Sequence, residues 1–78
     1  MSNSFMSHKR RMIDGIKTAI KRGDTPIDIS TALFFKGCEF RRRGACENVV
    51  SMYLRTADIV SGMTRDGLVL SLSRGDFL

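Results

Sequence analysis

The sequence predicts an α+β fold: three helices followed by a C-terminal β-hairpin, in one small domain at 7–78 behind a flexible arm at 1–6. Three observations lead there. Apolar residues recur at helical spacing through about residue 57. A helix-start signal, Thr25-Pro26, stands inside that region. Beyond Asp58 the apolar period shortens to two around an Asp66-Gly67 pair.

The first helix is expected at 7–22. At 100° per residue, Met12, Ile13, Ile16, Ala19 and Ile20 share one arc, while Arg10, Asp14, Lys17 and Lys21 lie opposite. Gly23 supplies the stop. The second helix is expected at 26–36. Thr25 caps it, Pro26 suits the first helical position, and Asp28 reaches back to the cap. Ile29, Ala32 and Leu33 form its inner face, and Gly37 is read as its end. The consecutive rings Phe34 and Phe35 cannot face the same way, so one should pack and the other sit at a boundary. Phe40 anchors the connection that follows.

A third helix is expected at 44–56, with Cys46, Val49, Val50, Tyr53, Leu54 and Ala57 on its inner arc and Glu47, Asn48, Ser51, Met52 and Arg55 outside. From 58 to 73 the alternation of Leu68, Leu70 and Leu72 with Val69, Ser71 and Ser73 reads as a hairpin turning at Asp66-Gly67. Two strands alone are marginal in water, so the leucine face should lie on the helices.

Length and charge bound the function. A chain of 78 residues has a thin core and little room for an elaborate cleft. Thirteen Lys and Arg against eight Asp and Glu give +5, and nine of the cations are Arg, a balance that favours a polyanionic partner. No apolar run approaches the roughly 20 residues of a membrane span. The N-terminus meets its basic residues after its apolar ones, the reverse of a secretory signal, so a cytoplasmic protein is expected. Cys38 and Cys46 form no metal-ligand spacing with the sole histidine, His8, and are read as small hydrophobes. No nucleophile–base pair, carboxylate pair or phosphate loop points to an enzyme or a cofactor.

The stretch Thr25-Pro26-Ile27-Asp28-Ile29-Ser30-Thr31-Ala32-Leu33 resembles the positioning helix of the winged helix-turn-helix family. Asn48-Val49-Val50-Ser51-Met52-Tyr53-Leu54 resembles its recognition helix, and residues 58–72 resemble its wing. Leu33 and Val50 are seventeen positions apart, so either the second helix continues past Gly37 or residues 38–44 expand the turn. The resemblance implies double-stranded DNA as partner and a sequence-specific transcriptional regulator as function. Arg41, Arg42 and Arg43 would contact phosphates, Asn48, Ser51 and Arg55 would face base edges, and Arg65 would reach the backbone from the wing tip. Lys9, Arg10 and Arg11 would serve as a basic arm. A homodimer would double the few contacts one such domain makes. Glu47, which repels phosphate, and the long turn support the alternative, a protein-binding adaptor or inhibitor of a larger complex without nucleic-acid contact. So do the apolar residues left over, namely Phe34 or Phe35, Met52, Met63 and the terminal Phe77-Leu78.

Overall fold

The computed structural model describes residues 4–75, and all of its regular structure is helical. The elements are α1 (Ser4–Arg22), α2 (Pro26–Arg42), α3 (Glu47–Ser61) and α4 (Arg65–Arg74). Residues 4–6, expected in the arm, are the first turn of α1. The rest of the arm, 1–3, and the terminal Phe77-Leu78 lie outside the described residues.

The expected hairpin is not there. Residues 58–61 are the last turn of α3, and the Asp66-Gly67 pair sits in the first turn of α4. The cause is Thr64, whose hydroxyl accepts a hydrogen bond from the Gly67 amide at 3.0 Å and so caps a helix where a turn was read. Asp66 then lies at the positive end of the helix dipole. Leu68 and Leu72 are four apart and share a helical face. Leu68 is fully buried and Leu72 packs beside it, whereas Leu70 is half exposed. The period-two pattern was produced by serines and a leucine on the solvent side of a helix.

The second correction concerns α2, which runs to Arg42 and not to Lys36. Gly37 is a buried interior residue there. A Cβ on it would meet Leu54 Cδ2 at 2.7 Å and Tyr53 Cβ at 3.2 Å, so the glycine admits a close approach of α3 to α2. The stop is Gly44, with φ of 79°, after which the Ala45 amide donates back to the Phe40 carbonyl at 3.0 Å. Gly23 closes α1 in the same way, with φ of 100° and the Asp24 amide on the Ala19 carbonyl. The connection between α2 and α3 is thus only residues 43–46.

α2 and α3 form an antiparallel hairpin with the largest interface of the molecule. Ser30 Oγ donates to the Ala57 carbonyl at 2.7 Å near one end, and the Phe40 and Tyr53 rings stack with centroids 5.2 Å apart toward the other. α1 lies on this pair through Met12, Ile16 and Ala19, and α4 closes it through Leu68. The inner arcs expected of α1 and α3 are the ones that pack, except that Cys46 is exposed. Phe34 and Phe35 are both exposed, 51% and 65%, against the expectation that one would pack.

The Thr25 cap is present as expected: its hydroxyl accepts from the Asp28 amide, and the Asp28 carboxylate accepts from the Thr25 amide, both at 3.2 Å. Replacing Thr25 by Ala is therefore expected to cost about 1 kcal/mol, read as a lowered denaturant midpoint at unchanged slope.

Candidate nucleic-acid interface

The path of the chain collects its cations. The His8 ring of α1 packs edge-on against Phe40 of α2, with centroids 5.0 Å apart. That contact brings the N-terminal part of α1 beside the C-terminal end of α2. Lys9, Arg10 and Arg11 lie within one helical turn of His8, and Arg41, Arg42 and Arg43 lie within one turn of Phe40. Six cations therefore share one end of the bundle, where Glu39 and Glu47 are the carboxylates. At the other end Asp24, Asp28, Asp58 and Asp66, near the starts of α2 and α4 and the last turns of α3, are accompanied by Lys21, Arg22 and Arg65, so the net positive charge is concentrated at the first end. A chain of modest net charge is thus electrically lopsided. The expected basic arm, Lys9 to Arg11, is instead part of α1.

Two of the arginines expected to bind phosphate have carboxylate partners. Arg41 lies 3.3 Å from Glu47, and Arg43 lies 2.9 Å from Glu39. Both pairs are well exposed, so each holds its arginine by no more than about 1 kcal/mol. Arg42 is exposed and makes no ion pair among the described residues.

Asn48, Ser51 and Arg55 lie together, but not on a projecting helix. α3 is the central helix, with Val49, Val50, Tyr53, Thr56, Ala57 and Val60 all buried. The three polar residues line a groove of about 550 Å³ between α1, α3 and α4. Lys9 stands on its α1 side, and Met52, Ile59 and Met63 supply its apolar surface. Ser51 also donates a long hydrogen bond to Glu47, 3.4 Å. Sequence reasoning placed Met52 outside but missed the groove. The signal was the spacing of residues 52, 56, 59 and 63, which continues the helical period past the point where a strand was read.

Arg65 is elsewhere and has a structural task. Its guanidinium donates to the Ile20 carbonyl at 3.0 Å and to the Asp24 carbonyl at 3.4 Å, tying α4 to the end of α1. No wing exists for it to tip. Beside it Arg22 hydrogen-bonds Asp24, which holds that carboxyl below the usual carboxylate range. Burial pushes the Tyr53 phenol above its ordinary value, with nearby Arg11 opposing the shift.

Among the described residues no group of three or more His, Cys, Asp and Glu side chains could hold a metal ion, and both cysteines are free. No helix among them is long and apolar enough to cross a membrane. The chain matches no protein-family model, and no curated protein or solved structure is significantly similar to it.

Proposed function

We propose that this protein binds duplex DNA through the phosphate backbone, using the cationic end of the bundle. The observation that carries this reading is the gathering of Lys9, Arg10, Arg11, Arg41, Arg42 and Arg43 around the His8–Phe40 contact. Helix-borne cations at fixed spacing suit the regular phosphate array of a duplex. The exposed pairs of Arg41 and Arg43 exchange carboxylate for phosphate at little cost. Asn48, Ser51 and Arg55 lie in a groove on a central helix, so base-edge readout by insertion of α3 into a major groove is not part of the proposal. The reading is of sequence-tolerant binding, without winged-helix geometry.

The experiment is binding to a randomised duplex pool across a salt series. Affinity in the range of about 10⁻⁴ to 10⁻⁶ M is expected at moderate salt, falling steeply as salt rises. Arg10→Gln and Arg43→Gln should each weaken binding to all duplexes alike and reduce the salt slope by about one. Absence of binding at low salt would remove the DNA reading. The groove then favours a protein partner, since Met52, Ile59 and Met63 between Lys9 and Arg55 match an acidic amphipathic segment.

A further inference from the structure

The outer face of α2 carries Ile27, Thr31, Phe34, Phe35 and Cys38, and Ile27, Phe34 and Phe35 are 60%, 51% and 65% exposed. At about 100° per residue these five positions span an arc of roughly 100°. The same face has Asp28 near its N-terminal end and Arg41 and Arg42 near its C-terminal end. A furrow of about 420 Å³ runs along it between α2 and α3, lined by Ser30, Thr31, Leu54, Ala57, Asp58 and Ser61 beside the two rings.

We propose that this face is the interface of a two-fold homodimer in which the α2 helices of two copies run antiparallel. Charge selects both the partner and the direction. With the two-fold axis between Phe34 and Phe35, the midpoint of the helix, Asp28 of one copy comes level, within one residue, with Arg42 of the second copy on the same edge of the interface. Ile27 comes opposite the second copy's Arg42, whose aliphatic stem can cover it. Thr31 comes opposite the second copy's Cys38. A parallel pair would instead set Arg41 and Arg42 against their own copies.

Shape agrees with charge. An isologous interface needs each projection and its recess on the same surface, and here the rings stand beside the furrow. The two rings and Ile27 leave on the order of 300 Å² of apolar surface in water, as large as the main patch of an ordinary monomer. Even with the furrow this stays below the roughly 800 Å² per partner of a standard interface, so the dimer belongs to the weak, reversible class.

Sedimentation equilibrium tests this without nucleic acid. The wild type is expected to be partly dimeric at about 100 μM. Phe34→Asp and Phe35→Asp, both at exposed positions, should keep the helical circular-dichroism signal and raise the dimer Kd at least about 30-fold. A monomer mass up to about 1 mM, or variants that dimerise like the wild type, would overturn the proposal. Direction is read by cross-linking in a Cys38→Ser, Cys46→Ser background. Phe35→Cys, next to the axis, should oxidise to an interchain disulfide, whereas Ile27→Cys, about 20 Å from its mate, should not. Equal cross-linking of both variants would signify parallel pairing and overturn the antiparallel arrangement.

Discussion

Leu68→Ala is expected to lower the stability of the protein by about 3 kcal/mol, within the range for truncating a buried leucine. Leu68 is fully buried and is the one buried residue of α4, a ten-residue helix too short to persist on its own. Truncation removes the transfer energy of three carbons and leaves a cavity where α4 meets the core. Chemical denaturation measures the loss. Leu70→Ala provides the contrast, because its half-exposed side chain should be worth no more than about 0.5 kcal/mol. A hairpin would make the two leucines equivalent, facing the same side, so similar losses for both would contradict the helix.

The second large effect is expected at Gly37. Gly37→Val should cost about 3 kcal/mol, because even a Cβ lies 2.7 Å from Leu54 Cδ2, 3.0 Å from Leu54 Cγ and 3.2 Å from Tyr53 Cβ. Leu54 Cδ2 can swing aside, but its Cγ and the Tyr53 Cβ are fixed close to the α3 backbone. The two branch carbons of valine add to the overlap. Gly15 supplies the control from the exposed side of α1, where a new Cβ meets nothing within 4 Å. Gly15→Ala should raise stability by up to about 1 kcal/mol through helix propensity alone. Thermal or denaturant unfolding of the two variants should thus move in opposite directions. A gain at both positions would mean that α2 and α3 are not packed as closely as described.

These two residues also mark where local sequence stops determining structure. Wherever a helix announces itself through its own neighbours, the sequence was readable: the Thr25-Pro26 cap, the Gly23 stop, and the inner arcs of α1 and α3. Gly37 was misread because its meaning is not local. A glycine ends a helix when it takes a positive φ and admits a neighbouring helix when it does not, and only the partner helix distinguishes the two. Asp66-Gly67 is ambiguous in the same way, since both residues also suit the first turn of a helix, and Thr64 two positions earlier decides the matter. Of the proposed site, the arginine run was visible in one dimension. Its junction with Lys9 to Arg11 was not, because it depends on the contact of His8 with Phe40 across 32 residues of chain. The groove under Asn48, Ser51 and Arg55 was hidden for the same reason, being closed partly by a helix that had been read as strands.

The short link between α2 and α3 bears on how quickly the chain finds this arrangement. Its largest interface joins sequence neighbours across residues 43–46, so little loop entropy is lost before the apolar contacts begin to form. Domains dominated by such near-neighbour contacts cross their folding barrier in about microseconds to milliseconds, orders of magnitude faster than sheets whose strands must meet from afar. A wing built at the C-terminus would have put the slowest kind of pairing last. A helical fourth element, held by Leu68, Leu72 and the Arg65 clasp, leaves the described residues with no such step and with no strand edge on which neighbouring copies could nucleate a sheet.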